Sequence, residues 1–120
     1  MFTVRQSEGL DLLQLRDTLH TAGWDAIASD IVGEVAARRE HVPRDGWWTL
    51  VIDRAGRFKF IHTRPVAKSQ ARHVIRSQRS YRLEADAKEI MTITGRIDDM
   101  TELPSLLEDL AQLADPSSTT

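Results

Sequence analysis

The sequence predicts a small α+β domain in which helices pack on one face of an antiparallel sheet of about four strands. Leucines recur at helical spacing near both ends of the chain, which predicts amphipathic helices there. Between them, strand-like segments flank short turns at residues 54–56 and 86–88, which predicts two β-hairpins. A chain of 120 residues with 41% hydrophobic residues suits one domain. We expect residues 1–114 to form that domain and residues 115–120 to be a flexible polar tail.

The N-terminal region predicts a helical hairpin. Ser7 is a suitable N-cap, and a leucine stripe follows: Leu12, Leu15 and Leu19. Gly23 is placed to end this helix. A second helix is predicted over 25–39 from a further stripe: Ile27, Ile31 and Val35. A DNA-reading helix-turn-helix is disfavoured because its second helix would present acids to phosphates: Asp25, Asp30 and Glu34.

The first β-hairpin has a register that the sequence itself selects. A three-residue loop over 54–56 puts Gly56 where a left-handed residue is needed, and Asp53 then faces Arg57. The apolar pairs become Ile52 with Phe58 and Leu50 with Phe60, while Trp48 faces His62. A two-residue loop would mix apolar and charged side chains on each face. The alternate positions are expected on the second face: Trp47, Thr49, Val51, Lys59, Ile61 and Thr63.

The segment between the hairpins is open to two interpretations. Apolar residues at three-to-four spacing favour a helix over 66–78, and Pro65 suits a first helical turn. The alternative is a strand around His73, Val74 and Ile75. In the second hairpin, the turn at 86–88 lacks glycine, which leaves the register open, and Gly95 indicates a bulge or a close backbone approach.

The C-terminal helix is predicted with a defined start. Asp99 followed by Glu102 fits a capping box, in which an acceptor at the N-cap is matched by an acid three residues later. Leucines then follow at helical spacing: Leu103, Leu106, Leu107, Leu110 and Leu113. We expect this amphipathic helix to pack on the sheet or on a partner.

Charge is segregated along the chain. Residues 54–82 contain nine Lys or Arg and no acid, whereas the remaining residues contain seven bases and 18 acids. Such a stretch is typical of a surface that contacts phosphates or an acidic protein. In the helical interpretation of 66–78, four bases form a stripe. The predicted binding residues are Arg57, Lys59, Lys68, Arg72, Arg76 and Arg79.

Catalytic and metal-binding motifs are absent from the sequence. There is no cysteine, which excludes disulfides and thiol chemistry. The four histidines are scattered and show no metal-ligand spacing: His20, His41, His62 and His73. The glycines are isolated and form no phosphate-binding loop. We therefore predict no enzyme activity, no metal and no cofactor. No apolar run suits a signal peptide or a membrane span, so we expect a cytoplasmic protein without membrane contact.

The function predicted from these features is binding. We expect a non-enzymatic binding or adaptor module that contacts an acidic protein partner or associates with itself as a homo-oligomer. Trp47 is the predicted interface residue because tryptophan is enriched at interfaces and this one points away from the predicted core. The alternative is a sequence-independent nucleic-acid-binding domain that uses the basic segment 54–82. The pI near 6.1 disfavours that alternative, since nucleic-acid-binding domains are usually strongly basic.

Overall fold

A helix, seven strands and a second helix follow one another along the chain in a computed structural model that describes residues 9–41, 46–63, 70–85 and 90–114. The elements are α1 (Leu12–Thr21), β1 (Asp25–Ser29), β2 (Glu34–His41), β3 (Gly46–Asp53), β4 (Arg57–Thr63), β5 (Gln70–Arg76), β6 (Arg79–Ala85), β7 (Ile90–Arg96) and α2 (Leu103–Ala114). A short 3-10 turn, Met100–Glu102, leads into α2.

The strands form one antiparallel sheet in the order β1-β2-β3-β4-β7-β6-β5. Strands β1 to β4 make one meander and β5 to β7 make another, and the pairing of β4 with β7 joins them. After β4 the chain crosses to the far edge of the sheet, so β5 is an edge strand. The α+β class predicted from the sequence is confirmed, but the prediction of about four strands is wrong.

Both helices cover the same face of this sheet. Leucines of α1 and α2 belong to one buried cluster with alternate residues of the strands, among them Val35, Leu50, Phe60, Tyr81 and Ile93. We call the opposite side, which neither helix of the described residues covers, the open face. One row of cross-strand neighbours crosses this face: Ile27, Ala36, Val51, Lys59, Thr94, Arg82 and His73. The other residues of the face lie two positions before or after these along each strand.

The predicted second helix over 25–39 is wrong, because this segment forms β1 and β2. Burial has a period of two along both strands: Ala26, Val35 and Ala37 are buried, whereas Ile27 and Ala36 are exposed. Ile31 is exposed in the turn between them. Eight consecutive residues of β2 pair with β3, so the sheet satisfies the backbone hydrogen bonds of this segment and buries Val35 and Ala37. The predicted helical hairpin is therefore replaced by one helix and a β-hairpin.

The predicted helix over 66–78 is also wrong where the structure describes it, since residues 70–76 form β5. The strand alternative around His73, Val74 and Ile75 is confirmed. Ser77 and Gln78 both adopt positive φ and form the two-residue turn into β6, a conformation suited to tight hairpins. Residues 66–69 of the predicted helix, which include Lys68, lie outside the described residues, as does the predicted tail 115–120.

Three local predictions are confirmed. The first hairpin pairs Ile52 with Phe58 and Leu50 with Phe60, in the predicted register, and Gly56 has φ of 86°. Asp99 and Glu102 form the capping box that precedes α2. Gly95 marks a close approach, because a Cβ there would lie 2.8 Å from the ring of Phe58.

Candidate interface on the open face of the sheet

The open face combines exposed apolar side chains with charged ones. Ile27 on β1 is 70% exposed, Ile75 on β5 is 77% exposed and Trp47 on β3 is 44% exposed. Strand alternation places these side chains opposite the core, since the intervening residues are the buried ones. The three side chains share one face of the sheet, with Ile27 and Ile75 on its two edge strands and Trp47 on a strand between them.

Trp47 lies beneath a guanidinium. Cζ of Arg38 on β2 lies 4.4 Å from the centre of the Trp47 ring, which is a cation–π geometry. Arg38 lies opposite Thr49 in the register, so the side chains of Arg38 and Trp47 meet diagonally across β2 and β3. The stacked pair holds the indole against the sheet, which leaves part of its ring exposed for contact.

A row of four charged residues crosses β2, β3, β4 and β7 at the end of the open face beside the β3–β4 turn. The register pairs Glu34 with Asp53 across β2 and β3, and Arg57 with Arg96 across β4 and β7. Within the hairpin, Nε of Arg57 lies 3.1 Å from Oδ2 of Asp53. The row therefore reads acid, acid, base, base from β2 to β7.

The predicted basic residues do not come together on one surface. Arg57 and Lys59 lie on the open face, where Arg82 and Arg96 join them. Arg76 and Arg79 instead approach α2 on the covered side. The backbone of Arg72 pairs with Leu83 in the edge hairpin. The predicted helical stripe does not form, because residues 70–76 alternate as a strand.

Most of the described bases already have an acidic neighbour. Arg54 pairs with Asp30 at 3.2 Å, and Arg82 pairs with Glu84 at 2.7 Å. Lys59 is exposed and forms no ion pair with any residue in the described segments. Lys59 is thus the base of this face whose ammonium group is most available to a partner.

A second polar cluster, which sequence reasoning missed, joins β6 to α2. Asp109 is buried, and its carboxylate accepts hydrogen bonds from Tyr81 at 2.6 Å, Ser77 at 2.9 Å and Arg79 at 3.2 Å. Arg79 also pairs with Glu102 at 3.2 Å. The cluster fixes the β5–β6 turn against the helix, and its groups satisfy one another. The available signal was that Asp109 stands three residues after Leu106, beside the leucine stripe.

Burial raises the pKa of Tyr81 above its ordinary value, and the hydrogen bond to Asp109 adds to the shift, while Arg79 opposes it. We expect no phenolate absorbance from the folded chain at pH 10, where a free tyrosine is about half ionised. Because the folded pKa is raised, the stability that this phenol contributes is complete below pH about 10 and is lost at higher pH.

Spectrophotometric titration measures this directly, because Tyr81 is the chain's single tyrosine. The titration is followed together with circular dichroism, which reports whether the chain is still folded. A phenolate midpoint at the ordinary value in the folded chain would contradict the prediction. Asp109→Asn provides the comparison, since removal of the negative charge should lower the midpoint.

The described part of the chain shows neither a metal-binding cluster nor a membrane-spanning helix. No group of three or more His, Asp or Glu side chains there is arranged to hold a metal ion. No helix among the described elements is long and apolar enough to cross a membrane. Comparisons with protein-family models, with curated proteins and with solved structures give no match. Function is therefore inferred from the side chains of the open face.

Proposed function

We propose that this domain is a non-enzymatic protein-binding module and that the open face of the sheet is its binding surface. The observation that carries this proposal is that both helices pack on one side of the seven strands. The other side presents Trp47, Ile27 and Ile75 among charged side chains. Aromatic and arginine side chains together are typical of interface hot spots, which supports Trp47 with Arg38 as the anchor.

The open face is large enough for a specific interface. Seven strands about 4.8 Å apart, each about seven residues long, present roughly 750 Å². A standard protein–protein interface buries about 800 Å² on each partner. One partner surface of ordinary size would therefore cover this face.

Charge on this face favours a partner that is at least partly acidic. Over β4, β7 and β6 the described side chains include four bases and one acid: Arg57, Lys59, Arg82 and Arg96, with Glu84. Bases at an interface speed association with an acidic surface, and salt weakens that attraction. We expect binding to weaken as ionic strength rises.

Site-specific photo-crosslinking tests the proposal. A photoactivatable phenylalanine analogue replaces Ala36 or His73, which are exposed on the open face, in cells that naturally produce the chain. Gln14 on α1 and Glu108 on α2 are exposed on the helix side and provide matched controls. We expect Ala36 and His73 to crosslink one common protein, identified by mass spectrometry. That protein in purified form should bind the purified chain with salt-dependent affinity.

Two results would count against the open face. Crosslinks confined to Gln14 and Glu108 would move the binding surface to the helices. An absence of crosslinks from all four positions would remove the support for a binding module. A second copy of the chain counts as a protein partner in this experiment.

A sequence-independent nucleic-acid binder is the alternative that one observation favours. Lys59 and Arg82 flank Thr94 on three adjacent strands, so two bases lie roughly 10 Å apart on one face, within reach of a single phosphate backbone. This alternative predicts affinity for single-stranded RNA homopolymer that falls steeply with salt, with a smaller slope in Lys59→Gln. The same salt slope in Lys59→Gln, or no binding at low salt, would rule it out.

A further inference from the structure

We propose that the partner on the open face is a second copy of this chain, related by a two-fold axis that runs parallel to the strands between β3 and β4. The proposal rests on the open face being a binding surface, and it names the occupant. Three features of the open face support it: the charge row beside the β3–β4 turn, the charge of the two halves of the face, and the size of the surface.

The charge row is unfavourable in a single copy. Glu34 lies directly opposite Asp53, and Arg57 lies directly opposite Arg96. Like charges in directly opposed cross-strand positions destabilise a sheet. The pair of Asp53 with Arg57 relieves only the centre of the row, which leaves Glu34 and Arg96 at its ends. Glu34 has no ion pair within the described residues, and Arg96 reaches Asp98 only at 4.0 Å.

A two-fold rotation parallel to the strands reverses the order of the strands and keeps the row at the same height. Glu34 of each copy then meets Arg96 of the other, and Asp53 meets Arg57. Every charge in the row gains an opposite neighbour. A two-fold axis perpendicular to the strands would place acids over acids, so the pattern selects one axis. Face-to-face sheets whose strands are aligned within about 30° are an established packing.

The rest of the face agrees with the same axis. On β1, β2 and β3 the described side chains include three acids and one base: Asp25, Glu34 and Asp53, with Arg38. The half formed by β4, β7 and β6 has four bases and one acid. The rotation lays the acidic half on the basic half, and near the axis it brings Val51 and Ile61 toward the second copy. An interface of this kind uses the same patch on both copies, as two-fold dimers do.

Charge reversal at Glu34 and Arg96 tests this pairing. Glu34→Arg and Arg96→Glu each place like charges at both symmetry-related contacts. We expect each variant to raise the dimer dissociation constant about tenfold or more at low salt. In a dimer of one copy of each variant, the arginine introduced at position 34 faces the glutamate introduced at position 96, and the native Arg96 faces the native Glu34. Both contacts then join a base to an acid. The mixture should therefore form heterodimers, and the double variant should regain wild-type affinity.

Sedimentation equilibrium and native mass spectrometry measure these species. Glu108→Arg on α2 is the matched control, because it makes the same charge change on the helix side and should leave the dimer unaffected. Each test variant replaces a like-charge cross-strand pair by an opposite-charge pair, Glu34 with Asp53 in one and Arg96 with Arg57 in the other, so we expect both to fold. Circular dichroism confirms folding of each variant.

Each outcome decides between the two proposals. A wild-type chain that stays monomeric at its highest soluble concentration overturns the second-copy proposal. Crosslinks from Ala36 and His73 to a different protein would then retain the binding function. A dimer that ignores both charge reversals, or a mixture without heterodimer preference, places self-association on another surface. A dimer that responds as expected supports both.

Discussion

Gly56→Ala is expected to lower the free energy of unfolding by about 4 kcal/mol. Gly56 has φ of 86°, where an L side chain is strained, and its ideal Cβ would lie 1.9 Å from the carbonyl oxygen of Ile97. The backbone cannot move aside here without loss of a hydrogen bond, because the N–H of Ile97 donates to the carbonyl of Gly56 at 2.9 Å. The change therefore combines turn strain with overlap against backbone.

Gly23→Ala is the matched control for this prediction. Gly23 has a similar φ of 95°, but the nearest atom to its ideal Cβ is a side-chain carbon of Arg39 at 3.8 Å. We expect Gly23→Ala to cost only about 1 kcal/mol, the conformational part alone. Chemical denaturation monitored by tryptophan fluorescence compares both variants. Equal losses at the two positions would show that contact with Ile97 contributes nothing.

The turn around Gly56 also shows what the sequence could establish by itself. Its glycine, the opposite charges of Asp53 and Arg57, and the segregation of apolar side chains all selected one register, and the structure has that register. The capping box at Asp99 and Glu102 was similarly decisive. In both places the information lies in residues close in sequence, so local geometry is sufficient.

The wrong predictions concern segments whose structure depends on pairing with strands elsewhere in the sheet. In residues 25–39, apolar residues occur at both helical and alternating spacings, and the helical spacing predicts a helix that does not form. The structure buries Ala26, Val35 and Ala37 and exposes Ile27 and Ile31. Small alanines carry weak periodic signal, and pairing of β2 with β3 decides the outcome. The same applies to β5, whose partner β6 follows a turn that contains no glycine.

The candidate site was predictable in part. Alternation placed Trp47 and Lys59 on the face opposite the core, which the register bears out. The charge row was not predictable, because it requires β2 beside β3 and β7 beside β4. The helical interpretation of 25–39 hid the first pairing, and nothing in the sequence indicated the second. The basic segment similarly divides between two faces once β5 and β6 are strands.

Asp109→Ala is expected to lower the free energy of unfolding by about 4 kcal/mol. Asp109 is 3% exposed, and its carboxylate balances the guanidinium of Arg79, whose side chain is only 10% exposed. Removal leaves a largely buried cation with Glu102 as its remaining acidic neighbour, and it leaves the hydroxyl of Tyr81 without its acceptor. Breaking one side of a buried pair costs more than the pair itself contributes.

Two variants separate the charge from the hydrogen bonds. Asp109→Asn keeps an oxygen that can accept from Tyr81 and removes the charge, so we expect a loss of about 2 kcal/mol. Glu108→Ala changes the adjacent exposed acid of the same helix and should have little effect. Urea denaturation of the three variants, with unchanged m-values, measures the differences.

The decisive comparison replaces the pair together. If the cost of Asp109→Ala comes from an unbalanced charge, Arg79→Met with Asp109→Leu should lose less stability than the two single changes added. A double variant that loses the full sum would show that the two residues act independently. Coupling between them would identify this cluster as the joint between the β5–β6 turn and α2. That joint lies on the covered side, so none of these variants should alter contacts made by the open face.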